Sequence, residues 1–187
     1  MATAVVMLGH QVASKAFRDA AFLAVFPATA LPLMVMTATL PVVAVVPLFA
    51  RLLERFGPRL VVTIGFLISA ALHVIEWELS SQQRWVTVVI YLHVAGLGAL
   101  LLSGFWSMVS ERFEPRPARG SFGPIAAAGT LGGALGGLAA ERIAVMPLPV
   151  DSMLLLLPTL HVLCAIGVAW LGRARVLLPG TDAAPSD

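Results

Sequence analysis

The chain has 187 residues and a mass of 19.7 kDa; 59% of it is hydrophobic, only 12% is charged, and the mean hydropathy is +0.93. A soluble domain carries about 25% charged residues to cover its surface, so a water-soluble globule is excluded and lipid is the expected solvent. The net charge is +2, eleven of the twelve basic residues are Arg, and no basic residues run consecutively, which excludes the electrostatic footprint of a nucleic-acid binder.

At about 20 residues per span, this length accommodates six membrane helices. Cutting the apolar runs at charges and at Pro/Gly clusters predicts spans near 2–25, 31–53, 60–79, 85–109, 122–144 and 153–171. They form one domain over 1–172, and 173–187 is a polar tail expected to be disordered and cytoplasmic. The first 14 residues have no basic n-region, and His10 and Gln11 interrupt their apolar stretch, so no cleaved signal peptide is expected.

The first span is the most polar. His10, Gln11, Ser14, Lys15, Arg18 and Asp19 recur at spacings of three and four, which places them on one face of a helix. Lys and Arg within a span are costly unless they pair or face a wet cavity. Asp19 can neutralise one of them, and one positive charge is left over. This pattern reads as an anion site on a water-filled path; snorkelling of a late-starting helix is the alternative.

The second span contains Pro32, Pro41 and Pro47, which membrane helices tolerate where neighbours satisfy the freed backbone groups. Glu76 and Glu78 fall near the outer end of the third span, with Trp77 and Trp85 flanking the following loop as an aromatic belt, so interfacial solvation is expected for both acids. In the fifth span, Gly129, Gly132, Gly133, Gly136 and Gly137 give small residues four apart, the pattern that lets two membrane helices approach closely. No Lys-Ser or Lys-Thr follows to complete a phosphate loop. The lone Cys164, in the sixth span, is expected to be a small buried residue. His10, His73, His93 and His161 fall on four different spans without metal-ligand spacing. The last three are expected to be packing or interfacial residues. No metal, cofactor or catalytic residue is expected, because no nucleophile–base pair appears within the spans.

Arg51, Arg55, Arg59, Arg112, Arg116, Arg119, Arg173 and Arg175 lie on one side of this arrangement, and Arg84 and Arg142 on the other. The positive-inside rule then puts both termini in the cytoplasm, in agreement with an even number of spans. Arg112, Arg116 and Arg119 form a cytoplasmic basic face that would attract an anion.

Two stretches carry family resemblances. Ala50-Arg-Leu-Leu-Glu-Arg-Phe-Gly-Pro-Arg59, between spans two and three, resembles the loop signature of the major facilitator superfamily through Glu54, Arg55, Gly57 and Arg59. Pro58 stands where that family often has Arg, and Ala50 near its leading Gly. In that family the loop helps hold the inward gate closed. Phe105, Trp106, Glu111, Phe113, Ala118, Arg119, Phe122 and Gly123, with Arg18-Asp19 and Leu31-Pro32, resemble the ATP/ADP translocase family and its bacterial relatives. The likeness covers most of residues 14–145 and only the amino-terminal half of a twelve-helix transporter. Two charges of the plastid-type exchangers are missing: the Lys soon after Leu-Pro, where this chain reads Leu-Met-Val-Met, and a Glu in helix four, where His93-Val-Ala-Gly-Leu-Gly-Ala-Leu has no acid.

The fold class expected is therefore an all-α membrane protein of six transmembrane helices, one half of a major-facilitator-type bundle. The resemblance implies an integral protein of the bacterial inner membrane. It would exchange a phosphorylated or anionic solute such as ATP and ADP, paired with a copy of itself or with a second six-helix half. His10, Gln11, Lys15, Arg18 and Asp19 would bind the solute, and no nucleic acid partner is expected. Two alternatives stay open: a proton-coupled facilitator for a small organic anion using His10 and Asp19, and a scaffold that retains only the fold. The scaffold reading expects Gly133→Leu to disrupt assembly.

Overall fold

The computed structural model describes residues 2–80, 84–112, 115–146 and 153–173. Six helices occupy nearly all of them: α1 (Ala2–Val25), α2 (Leu31–Phe56), α3 (Pro58–Ser80), α4 (Arg84–Arg112), α5 (Pro115–Ala144) and α6 (Met153–Arg173), with one 3-10 turn at Ala28–Ala30 before α2. The described residues contain no strand. Five segments are long and apolar enough to cross a membrane: Ala28–Phe56, Pro58–Leu79, Arg84–Ser110, Gly123–Ile143 and Leu154–Leu171. The molecule is accordingly an all-helical protein with the makings of an integral membrane protein. α1, at 24 residues, is also long enough, but Lys15, Arg18 and Asp19 set it apart from the other five.

Several helices run further than the apolar stretches suggest. α2 continues to Phe56 and α3 starts at Pro58, leaving a single connecting residue, Gly57. Charged residues such as Arg51, Glu54, Arg55 and Arg59 end a hydrophobic run but not a helix, since all four are exposed and good or neutral helix formers. The chain turns at Gly57 because its φ of 78° and ψ of 149° lie in a region closed to residues with a Cβ. Its amide closes α2 by donating to the Leu53 carbonyl at 2.9 Å. Proline at the first position of α3 gives up an amide that has no helical partner anyway. By the same logic α4 extends to Arg112 and α5 begins at Pro115. The tail beyond Arg173 lies outside the described residues.

α1 packs on α5, α4 and α6; α3 packs on α6 and α4; α2 leans on α4 and α3. Three apolar clusters hold these contacts. Met7, Val62, Phe66, Leu101, Phe105, Cys164 and Val168 form one, and burial of Cys164 agrees with the expectation for it. Phe17, Val86, Ile90, Val94, Leu154 and Leu157 form the second, and Phe22, Met34, Ala38 and Tyr91 the third. The outer face of α2, with Leu33, Met36, Leu40 and Val43 about 70% exposed, is an apolar surface of the kind that lipid covers.

The glycines of α5 do pack a helix, and the seam is specific. A Cβ on Gly132 would strike the Val5 carbonyl oxygen, one on Gly136 the Gly9 carbonyl oxygen, and one on Gly129 the Leu8 side chain. Gly9 answers from α1, where a Cβ would stand 2.9 Å from the Gly132 oxygen. Gly133 and Gly137 lie on the flank of this seam, in ordinary contact with Val12 at 3.5 and 3.8 Å. Gly133 is therefore not the residue on which close approach depends; Gly132 and Gly136 are.

Candidate functional site

Polar side chains from four helices converge inside the bundle. On α3, Ser69, His73 and Glu76 follow one another at four and three residues, so they continue the buried stripe that Val62 and Phe66 begin. α4 contributes His93, α6 His161, and α1 His10, Gln11 and Ser14, and every one of these side chains is buried. The four histidines are thus brought together, and His73, His93 and His161 lie buried between helices and not at an interface with solvent. The rings of His10 and His161 are 4.0 Å apart between centroids, those of His73 and His93 4.4 Å, and those of His73 and His161 4.9 Å. Glu76 is likewise no interfacial acid, being only 5% exposed, because α4 and α6 cover its face of α3. Glu78, two residues on, is exposed as expected.

Glu76 holds two imidazoles at once. His73 Nδ1 lies 2.8 Å from one carboxylate oxygen and His93 Nδ1 2.7 Å from the other. On the far side of the His93 ring, Ser69 Oγ is 2.8 Å from His93 Nε2 and 2.8 Å from His161 Nε2. The remaining His161 nitrogen donates to the Leu157 carbonyl at 2.9 Å. His10 Nε2 and Ser14 Oγ are 3.0 Å apart, whereas His10 Nδ1 is buried with no hydrogen-bond partner among the described residues. A cavity of about 10 Å³, lined by His10, Ser14, Ser69, His73 and His161 among others, opens at this junction. That volume is close to the space one water needs.

The expected anion-binding stripe divides between two environments. His10, Gln11 and Ser14 point into the bundle, while Lys15 is exposed near the middle of α1. Gln11 donates to the Gly98 carbonyl of α4 at 2.7 Å. Arg18 donates to Asp19 at 2.9 Å and lies over the Tyr91 ring of α4, 4.4 Å from its centroid. Asp19 therefore neutralises Arg18, and Lys15 makes no ion pair among the described residues. Val12, on the other flank, rests on Gly133 and Gly137 of α5. At 3.6 residues per turn, Lys15 falls between the flank that meets α4 and the flank that meets α5.

At the α2–α3 turn, Glu54, Arg55 and Arg59 are exposed and Arg55 lies 5.3 Å over the ring of its neighbour Phe56. Arg112 ends α4, and Arg116 and Arg119 fall on α5, but the side chains of all three lie outside the described residues, as do those of Glu111, Phe113, Ala118 and Phe122 of the translocase-like motif. Arg84 donates to the Val25 carbonyl at 2.8 Å and covers the Phe26 ring, which ties the start of α4 to the end of α1.

Ser69 and Gly98 belong to the polar junction although nothing singles them out in the sequence. The signal that was present is His73-x-x-Glu76: an acid and an imidazole one helical turn apart within an apolar run put two costly groups on one face. Comparisons of the chain with protein-family models, with curated proteins and with solved structures find no match.

Proposed function

We propose that the chain is one six-helix unit of a two-unit membrane carrier that moves a small anionic solute, a nucleotide or another phosphorylated molecule, by alternating access. The observation that carries this reading is Lys15, exposed near the middle of α1, whereas the other exposed charged side chains among the described residues lie towards helix ends. A lysine facing hydrocarbon at that depth costs about 2.5–3.5 kcal/mol on insertion scales. The cost disappears where a second unit closes over the α1 face and keeps it wet, the arrangement in which paired transporter repeats bind solute between them near the midplane. Arg18 stands one turn further on, its side chain 15% exposed and its charge already balanced by Asp19. Lys15 then supplies the uncompensated positive charge, and the Arg18 fork supplies oriented donors for phosphate or carboxylate oxygens. The resemblance of the Arg18-Asp19 pair and of the α4–α5 junction to nucleotide exchangers supports the same class of solute.

The test is reconstitution of the full chain into liposomes loaded with ADP, with uptake of labelled ATP measured for the wild type, Lys15→Ala and Arg18→Ala. Exchange that requires internal ADP and is lost in Lys15→Ala supports the reading. Uptake that follows an imposed pH gradient and ignores internal ADP moves the protein to the proton-coupled class. If folded wild type takes up neither labelled ATP nor labelled inorganic phosphate above empty liposomes, the carrier reading falls and a scaffold remains.

A further inference from the structure

We infer that His73, Glu76 and His93 form a binding site for a divalent first-row transition-metal ion inside the bundle, separate from the Lys15 face of α1. The three side chains are 1%, 6% and 5% exposed, and their ligand atoms lie within 4.8 Å of one another. Two imidazole nitrogens and a carboxylate are the donor set of His₂Glu metal sites, with a further position left open. Tetrahedral ligands held at about 2.0–2.1 Å from an ion stand about 3.3 Å apart. An ion at this junction therefore draws the two rings together and opens the two N···O contacts by about half an ångström.

The hydrogen bonds around the site leave one electropositive position between His93 and Glu76, which a proton or a metal ion fills. The Leu157 carbonyl can only accept, so His161 carries its proton on Nδ1. A neutral His161 then presents an Nε2 lone pair, which takes the single hydroxyl proton of Ser69. Ser69 must in turn accept from His93 Nε2–H. A neutral His93 is left with a lone pair on Nδ1, aimed at a carboxylate oxygen 2.7 Å away. Two lone pairs at that distance repel unless a positive charge sits between them. Without metal, one proton between His93 and Glu76 serves that contact and His73 donates its Nδ1–H to the other oxygen; a metal ion displaces both protons and takes all three side chains as ligands.

The same chain of bonds is the outer shell that a metal-bound imidazole needs. Ligating histidines donate their second N–H to an oxygen that fixes the tautomer and the ring plane. Ser69 does this for His93, and its own proton is anchored through His161 to the α6 backbone. The placement also follows from local sequence: His73 and Glu76 share a face of α3 at three residues' spacing, and α4 brings His93 onto that face.

The experiment uses the full chain in detergent, free of any polyhistidine tag, stripped with EDTA and titrated with Co²⁺, whose visible ligand-field bands report coordination, followed by displacement with Zn²⁺. The expected result is one equivalent per chain with intense bands typical of a low-coordinate site. Glu76→Gln loses the bands, and Ser69→Ala weakens binding about 10- to 100-fold. Glu78→Gln, an exposed acid on the same helix, binds as the wild type does. Each protein is checked for an unchanged unfolding midpoint without metal; if Glu76→Gln fails to fold, Ser69→Ala decides. The site is refuted if the wild type binds less than one equivalent, if Glu76→Gln or a folded Ser69→Ala retains wild-type affinity, or if Glu78→Gln weakens binding as much as they do.

Discussion

Replacing Gly136 by Ala adds one methyl group where α1 leaves no room. The new Cβ would strike the Gly9 carbonyl oxygen and stand 2.8 Å from the Gly9 Cα. Carbon atoms prefer about 3.5–4.0 Å, and backbone cannot rotate aside as a side chain can, so α1 and α5 must part by about 1 Å. That separation also pulls Gly132 from Val5 and loosens the rest of the seam, and overpacking of this kind costs about 1–3 kcal/mol. Gly133→Ala is the matched control, since its nearest neighbour is Val12 Cγ2 at 3.5 Å. Both substitutions gain the same helix propensity, about 0.8–1.0 kcal/mol, so their difference isolates the clash. Unfolding in mixed micelles by SDS titration, followed by tryptophan fluorescence, should show Gly136→Ala less stable than Gly133→Ala by about 5- to 140-fold in the folding equilibrium. A Gly136→Ala protein as stable as Gly133→Ala would refute the close approach of these two helices.

Gln11→Leu removes the donor to the Gly98 carbonyl; interhelical bonds of this type average about 0.6 kcal/mol and reach about 1.7, so the SDS midpoint should fall by that equivalent, and a rise would show the bond to be unimportant. Gly57→Ala forces a Cβ into φ 78°, ψ 149° and should cost about 1–3 kcal/mol in the same titration; an unchanged midpoint would mean that the α2–α3 turn has another conformation. Lys15→Ala touches no described ion pair on an exposed position, so stability should stay within about 0.5 kcal/mol while solute uptake is lost. A Lys15→Ala protein that transports normally would remove this residue from the solute path.

The six helices were readable because apolar runs separated by charges are a strong signal over a membrane-length window. Their ends were not, because Arg51, Glu54 and Arg55 interrupt hydrophobicity without interrupting hydrogen bonding along the helix. For the glycines, the sequence offered two registers, Gly132/Gly136 and Gly133/Gly137, with identical spacing. Only the azimuth at which α5 meets Val5 and Gly9 decides between them. The polar junction was the least legible. Each histidine lies on a different helix, and convergence of four helices is a property of their packing, not of spacing along the chain. The Ser69–His73–Glu76 stripe on α3 is local, and its agreement with the buried Val62 and Phe66 positions could have marked it as interior. Depth was misleading there: a residue near a helix end is wet only if neighbouring helices stop short of it, and α4 and α6 do not.

α1 joins the three features that the fold sets up, because each occupies a different sector of its surface. His10 and Ser14 face the buried junction, Gly9 and Val5 face the α5 seam, and Lys15 faces outward between α4 and α5. A helix in contact with glycine backbone on one side has little friction from side chains there, since no rotamers interlock across Gly132 and Gly136. On its other flank it is tied by directional bonds, from Gln11 to Gly98 and from Arg18 to the Tyr91 ring. Displacement of α1 would therefore go more readily along α5 than away from α4, and would carry Lys15 and His10 together, since both are fixed to one rigid helix. In the proposed carrier, such a helix would transmit a change at the Lys15 face to the buried histidine junction without an intervening loop.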